Sequence, residues 1–359
     1  MPISRSDADA SGVSHDRGYH ALPIKRIVHE TAEACSIVLD IPPELHAAFQ
    51  YASGQFVTFR VTIDGQKVYR SYSMSSAPGI DADLAVTVKR VPDGLVSNWL
   101  NDHLSAGDTV EASVPSGLFT LGEHDRPIVA FAAGSGITPI FSIIKTALAG
   151  GARDVHLLYA NRDRDSVIFA AELEQLAAAY PGRLATAHHL DVESGFIDAS
   201  SLEPYLELAA AADTYICGPG PFMDLIEGTL LDAGVALDQI HIERFKVAEP
   251  LDAPPPAAPE AAETSDCQVT IELDGKTLTA THHPGSTILQ TARSLGMSPP
   301  YSCEMGNCAT CMAMCVEGAV SMYVNDALFD DEVEQGWILT CQSVPTTPTV
   351  HVIYGYEGE

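Results

Sequence analysis

Residues 303–311 read CEMGNCATC, which places three of the chain's eight cysteines within nine positions. Cys303, Cys308 and Cys311 have the spacing C-x4-C-x2-C, and Cys341, in WILTCQS, follows after 29 intervening residues. Four thiolates in that pattern suit two irons bridged by two sulfides, with three ligands wrapped around one side by a curled loop and the fourth supplied from a distance. Gly306, Ala309 and Thr310 are small enough to let backbone N–H groups approach the sulfurs, and such hydrogen bonds stabilise the reduced, more negative cluster. Structural zinc uses two short paired knuckles, whereas one knuckle here is overfull and the other is a single cysteine. Disulfides suit small secreted domains, which this chain does not resemble. The expected metal ligands are therefore Cys303, Cys308, Cys311 and Cys341, around a 2Fe-2S cluster. Cys315 reads as a buried structural thiol and not a fifth ligand; Cys35 and Cys267 read as packing residues in strands.

Outward from this loop, residues 267–359 form a unit of one small domain, opened by CQVTIELDGKTLTATHH, whose Asp274-Gly275 pair signals a hairpin. A short helix, STILQTARSLG, precedes the cysteines. The preceding stretch, VAEPLDAPPPAAPEAAETSD at 247–266, is rich in Pro, Ala and acid and reads as an extended, semi-rigid linker. Residues 19–122 alternate in short runs such as QFVTFRVTI, YRSYSMS and LAVTVKR, the texture of an antiparallel β-barrel. GLVSNWLNDHL interrupts them with Val96, Leu100 and Leu104 on one helical face. From 123 to 246 buried apolar strands alternate with helices of ten residues or more, which predicts an α/β domain with a parallel sheet covered on both faces. Residues 1–18 lack the apolar stretch of a secretory signal and are acidic, so they read as a disordered lead-in to a cytoplasmic chain.

Forty-eight acidic residues against 19 basic ones give a formal charge of −29. Binding to nucleic-acid backbone through a basic patch is disfavoured by that balance. No apolar run approaches the roughly 18–20 residues of a membrane span. From Tyr301 onward there is no Lys or Arg, while Asp326, Asp330, Asp331, Glu332 and Glu334 crowd one stretch. That stretch is either a solvated acidic surface or a docking face for a basic partner.

Four short motifs point to nucleotide cofactors. Arg70-Ser71-Tyr72-Ser73 lies on an expected strand, where Arg70 and Tyr72 share a face suited to a pyrophosphate and a flat ring while Ser73 faces the other way. Gly94 and Ser97 open a helix whose free N–H groups suit phosphate. AAGSGITP, with Gly134 and Gly136, departs from the Rossmann fingerprint at Pro139, yet it and CGPGPF, with Gly218, Pro219 and Gly220, both stand where a parallel sheet binds ligands.

R-S-Y-S, G-L-V-S-N-W-L, P-S-G-L-F, G-S-G-I-T-P, C-G-P-G-P-F-M and H-I-E-R-F together resemble the ferredoxin-NADP reductase superfamily. With a plant-type ferredoxin spacing at the C-terminus, the chain resembles the reductases of multicomponent oxygenases, nearest the steroid-hydroxylase branch with an epoxidase branch beside it. The resemblance implies a β-barrel FAD domain, an NAD domain and a β-grasp ferredoxin domain. It implies that Arg70 holds the FAD pyrophosphate, Tyr72 packs on the isoalloxazine and Ser73 bonds near its N5, with Ser71 in the same motif. Val88 and Lys89 would line the flavin, Val96 and Ser97 would bind phosphate, and Thr138 would reach across from the NAD domain. Cys217 would sit beside the nicotinamide, with a packed core thiol as the alternative reading, and Glu243 and Phe245 would close the flavin's other side. Asn161, Arg162 and Arg164 are suited to a 2′-phosphate, but Asp163 and Asp165 alternate with them and would repel it, so the expectation is NADH over NADPH. The implied function is electron transfer from NADH through FAD and the cluster to a separate oxygenase. That partner is expected to be a Rieske-type protein acting on steroids or other hydrophobic rings, with a di-iron monooxygenase or epoxidase as the alternative. A non-redox, metal-stabilised interaction module is the remote one. The family resemblance also implies a monomer.

Overall fold

The computed structural model describes residues 19–63, 65–117, 119–245, 267–273, 275–283, 286–297, 299–301, 306, 309, 311–325 and 328–356. The expected lead-in, the expected linker and the ligands Cys303 and Cys308 lie outside the described residues.

The alternating runs near the N-terminus form β1 Tyr19–Thr31, β2 Ala34–Leu39, β3 Phe56–Ile63, β4 Gln66–Ser73 and β5 Leu84–Lys89, followed by α1 Leu95–His103 and β6 Thr109–Ser113. They pair antiparallel in the order β4-β3-β6-β1-β2-β5, and a bridge between Met74 and Val86 ties the end of β4 to β5, closing the sheet into a barrel. Leu22, Ile37, Val57, Phe59 and Val86 fill the inside. Val96 and Leu100 of α1 are buried in that core, while Leu104 packs at its edge. β2 is buried at every position because its outer face is also covered, with Ala34 joining the core of the next domain.

That domain contains β7 Ile128–Ala133, α2 Ile137–Gly150, β8 Val155–Asn161, α3 Ala170–Ala179 and β9 Leu184–Leu190, then α4 Asp191–Ser194, α5 Glu203–Ala209, β10 Asp213–Gly218, α6 Gly220–Asp232 and β11 Ile240–Arg244. All its strands are parallel, in the order β11-β10-β7-β8-β9. β7 and β10 are buried at every position, as strands covered on both faces must be. The chain builds outward from β7 to β9 and then returns to lay β10 on the other side of β7. The switch point between β7 and β10 opens a crevice at their C-terminal ends, the general ligand position of such sheets.

The third unit contains β12 Gln268–Leu273, β13 Lys276–Thr281, α7 Ile288–Ser294, β14 Met312–Glu317, β15 Val320–Met322, α8 Asp330–Glu334, β16 Trp337–Leu339, β17 Ser343–Pro345 and β18 Thr349–Ile353. Its main sheet runs β13-β12-β18-β14-β16, with β12 and β18 parallel, and it grasps α7 through Ile288 and Ala292 against Val269, Ile271 and Val352. Thr287 and Gln290 start α7 with a reciprocal capping box. Cys35 and Cys267 are buried, as expected of packing residues. Cys315 is only half-buried and contradicts the expectation of a buried thiol, because it lies just past the β14–β16 pairing, which covers Met312–Met314, and its Sγ lies 3.5 Å from the Glu317 carbonyl. Among the described residues, no helix is long and apolar enough to cross a membrane.

One buried ion pair locks the start of the parallel sheet. The Arg153 guanidinium donates to Asp213 Oδ2 at 2.6 Å, to the Arg126 carbonyl at 2.6 Å and to the Gly122 carbonyl at 3.0 Å. Both side chains of the pair are almost wholly buried. Removing Arg153 leaves the buried Asp213 carboxylate to the more distant and more exposed Arg126, at 3.5 Å, so Arg153→Met is expected to cost about 3 kcal/mol in urea unfolding. Arg153→Met with Asp213→Leu is expected to recover most of that loss.

Candidate functional site

A cavity of about 580 Å³ lies where the barrel meets the C-terminal ends of β7 and β10. From the barrel it takes Arg70, Ser71, Tyr72, Ser73, Thr87 and Lys89, and from the start of α1 Gly94, Val96 and Ser97. From the parallel-sheet domain it takes Gly134, Ser135, Thr138, Gly218, Pro219 and Phe245. The cavity lies over the end of β4 and touches all four residues of the R-S-Y-S motif.

The walls are tightly specified. Gly136 passes so close to β10 that a Cβ there would lie 2.1 Å from the Cys217 carbonyl oxygen, which excludes every side chain. Gly134 turns at φ +53, and the Lys89 amine reaches across from the barrel to within 3.3 Å of where its Cβ would be. Burial lowers the pKa of that amine, with the nearby Glu33 carboxylate working the other way. Thr138 Oγ1 donates to the Ser135 carbonyl at 2.9 Å and pins the glycine turn. Ser97 Oγ accepts from the Val91 N–H at 3.2 Å, tying the start of α1 to the strand before it. Tyr72 stacks obliquely on Phe59, 5.6 Å between ring centres, and burial raises its phenol pKa.

Among the described residues several buried side-chain polar atoms have no hydrogen-bond partner, and those of Ser73 and Asn161 belong to residues expected to bind cofactor. Ser73 Oγ is 2% exposed and makes no hydrogen bond, and both polar atoms of the Asn161 amide, at the end of β8, are likewise unpaired. Buried polar atoms are normally satisfied, so these point to a bound partner. A flat, polar-edged ring between Tyr72 and the glycine turn, with a second nucleotide reaching toward β8, fits the donor set.

The expected residues do not all share the cavity. Val88, Gly136, Asn161, Arg162, Cys217, Gly220 and Glu243 do not line it. Val88 is wholly buried in the barrel core, because strand alternation turns Thr87 and Lys89 to the cavity and Val88 away. Thr87 and Ser135 were missed although both stand inside motifs already singled out; the period of two would have found Thr87. Cys217 and Glu243 are neighbours in register on β10 and β11. Burial pushes the Cys217 thiol well up, which keeps it neutral. Arg162 is exposed and held by Asp163 at 2.9 Å and by Glu33, from the barrel, at 3.7 Å.

In the third unit Cys311 and Cys341 are buried together with Leu289, Leu328 and Leu339. Thr340 joins their segments, donating from both its N–H (3.2 Å) and its Oγ1 (2.9 Å) to the Cys311 carbonyl. Two adjacent thiols in an apolar pocket fit half of a cluster ligand set.

Comparison with known proteins agrees with this architecture. Residues 22–121 match an oxidoreductase FAD-binding domain, 131–228 an oxidoreductase NAD-binding domain and 271–346 a 2Fe-2S iron-sulfur cluster binding domain. The ferredoxin reductase component of 3-ketosteroid-9-alpha-monooxygenase from Mycolicibacterium smegmatis is 40% identical, over 94% of this chain and 98% of its own. A component of the 1,2-phenylacetyl-CoA epoxidase of Escherichia coli is 32% identical, over 95% and 99%. The solved structure of phthalate dioxygenase reductase shares the fold, with a TM-score of 0.59 at 22% identity over 94% of this chain and 98% of its own. Fold and cavity thus define a flavin- and nicotinamide-binding oxidoreductase with an attached iron-sulfur domain. The chain belongs to the family of reductase components of multicomponent oxygenases within the ferredoxin-NADP reductase superfamily. Its cofactors are FAD, a nicotinamide dinucleotide and a 2Fe-2S cluster.

Burial pushes the Glu243 carboxyl up to about 8. Its folded pKa lies above the unfolded value, so its contribution to stability is intact below about pH 4.5 and is lost as pH rises through 8. Glu243→Gln is therefore expected to gain thermal stability relative to the parent progressively from pH 5 to pH 8 in the FAD-free chain. A constant difference across that range would remove the buried-carboxyl assignment.

Proposed function

We propose that the chain takes hydride from NADH into FAD and passes single electrons through its cluster to a separate Rieske-type oxygenase acting on steroids or other hydrophobic rings. The observation that carries this reading is the orphaned Ser73 Oγ in the cavity shared by the two nucleotide domains. FAD supplies the conversion between a two-electron donor and a one-electron acceptor, while the protein supplies position and electrostatics. Arg70 and the α1 start, through Val96 and Ser97, bind the pyrophosphate, and Tyr72 packs on the ring. Ser73 would hydrogen-bond to the ring, and Lys89 and Phe245 would flank it. Thr138 and the turns at Gly134–Gly136 and Gly218–Gly220 seat the nicotinamide, with Cys217 as a neutral thiol beneath it. Glu243, next to Cys217 in register on the neighbouring strand and with its carboxyl pKa raised, is read as a proton donor from outside the cavity lining. Cys303, Cys308, Cys311 and Cys341 ligate the cluster.

Specificity for NADH is supported by Arg162. Its guanidinium is already engaged by Asp163 and Glu33, so a 2′-phosphate would meet two carboxylates before it met a free cation. Phe329, 74% exposed amid Asp330, Asp331, Glu332 and Glu334, offers the oxygenase an apolar contact inside an acidic rim. The 32% identity to an epoxidase component favours a second reading, in which a di-iron epoxidase or hydroxylase receives the electrons. We read the chain as a cytoplasmic monomer.

Anaerobic NADH is expected to bleach the flavin of the purified chain and to raise the signal of a reduced cluster; an unchanged flavin spectrum sinks the proposal. Turnover reconstituted with Rieske oxygenases against di-iron ones separates the two readings. Ser73→Ala is expected to leave unfolding of the FAD-free chain unchanged, since no protein partner is lost, while slowing flavin reduction about 10- to 100-fold. Glu33→Gln, which spares the turn that Asp163 caps, is expected to raise the NADPH-to-NADH ratio of kcat/KM about fivefold, the scale of one exposed charge pair.

A further inference from the structure

Gln342 follows the fourth cluster cysteine, yet it is buried, only 9% exposed. An uncharged amide of that size is expensive to bury without a specific use for its N–H groups. Its Nε2 lies 3.7 Å from Cys341 Sγ in donor geometry. The backbone leaves the side chain little choice of position: Gln342 N–H donates to the Leu339 carbonyl and its own carbonyl accepts from Tyr323 N–H, both at 2.9 Å. On the opposite flank stands Gly306 of the ligand loop, at φ +83, where a Cβ would fall 3.0 Å from Gln342 Cγ and 2.7 Å from the Val324 carbonyl oxygen. The side chain thus has Cys341 Sγ near its amide and Gly306 near its Cγ.

We infer that Gln342 is a positioning residue for the cluster: its side-chain amide donates to the Cys341 sulfur and raises the cluster's reduction potential. Reduction adds one negative charge, delocalised onto the ligand sulfurs, and a donor aimed at a sulfur stabilises the reduced state more than the oxidised one. The surroundings make that donor count. From Tyr301 to the C-terminus the sequence has no Lys or Arg, so the segment that carries the ligands offsets the added charge with dipoles, and Arg293 of α7, whose guanidinium lies 3.6 Å from the Tyr301 ring centre, comes from outside it. The inference rests on the 2Fe-2S assignment.

The test is an EPR-monitored redox titration of the full-length holoprotein. Gln342→Met keeps length and bulk without a donor, and Gln342→Glu replaces the donor with an acceptor. In the methionine variant the equilibrium constant for reduction is expected to fall about tenfold, which is about 59 mV for a one-electron couple, and in the glutamate variant to fall further. An assembled cluster with the parent's potential in both variants overturns the inference. Should either variant fail to hold its cluster, pulsed EPR of the reduced parent with side-chain 15N-glutamine decides the matter. A nitrogen coupling from the Gln342 amide supports the contact, and its absence overturns it. A parent that shows no iron-sulfur signal at all overturns the cluster assignment itself, an outcome distinct from an unchanged potential.

Discussion

The contact between Gly136 and the end of β10 sets the geometry of the nucleotide cavity. Because the backbone of the first turn lies against the Cys217 carbonyl, with no room even for a methyl group, β7 and β10 present their C-terminal ends side by side as one floor. Gly218 repeats the device on the other strand, where a Cβ would fall 2.8 Å from the Phe222 ring and 2.9 Å from Ala133 Cβ. A parallel sheet with bulkier turns would hold the same strands but fill its own crevice. The two glycines therefore convert a topological switch point into usable space, and the neighbouring Ser135 and Thr138 keep the turn from relaxing into it.

Space of that kind is useful only if the barrel is held against it, and the seam is built for that. Ser142 of α2 donates from Oγ to the Ser76 carbonyl at 2.6 Å, just beyond the end of β4, with Ser142 fully buried. Lys145, one turn further along α2, pairs with Asp81, and Asp81 in turn accepts from the Ala77 N–H at 2.7 Å. These bonds fix the strand that carries Ser73 relative to the helix that begins at Ile137. A shift of the domains would separate the two cofactor walls, and the cost of near-attack geometry lost by 1 Å is large. The apolar continuity of Ala34 and Phe119 with the parallel-sheet core makes the seam part of the fold and not a surface contact.

Most of this arrangement is legible in the sequence because it is carried by local rules. Alternation yields the barrel strands, glycine turns after apolar strands yield the crevice, and cysteine spacing yields the cluster. What stays hidden is what depends on distance in space. Glu33 and Arg162 lie on different domains, and no periodicity connects them. Val88 groups with Lys89 by adjacency in a motif, whereas a strand's period of two places Thr87 beside Lys89 instead. Cys315 resembles a core residue by chemistry and sits half-exposed because it lies just past the end of the β14–β16 pairing. The orphaned Ser73 and Asn161 can be named as polar residues in motifs, but the absence of a partner is a fact of three dimensions.

The same distinction explains how one chain manages two kinds of electron carrier. The nucleotide cavity is lined by cationic and hydroxyl groups from several strands, so its electrostatics come from Arg70, Lys89 and the start of α1, all reachable by a mobile dinucleotide. The iron-sulfur end has no such cations in its last 59 residues, and its thiols sit among leucines. A site of that composition would by itself hold the oxidised form and resist further negative charge. Donors fixed by the backbone must then do what mobile cations do elsewhere. The surface is thereby left free to remain acidic without pulling the cluster's own field toward it. A carrier that must both accept an electron and present a negative face gains from a donor held inside it, and the Gln342 amide, 3.7 Å from Cys341 Sγ, is so placed.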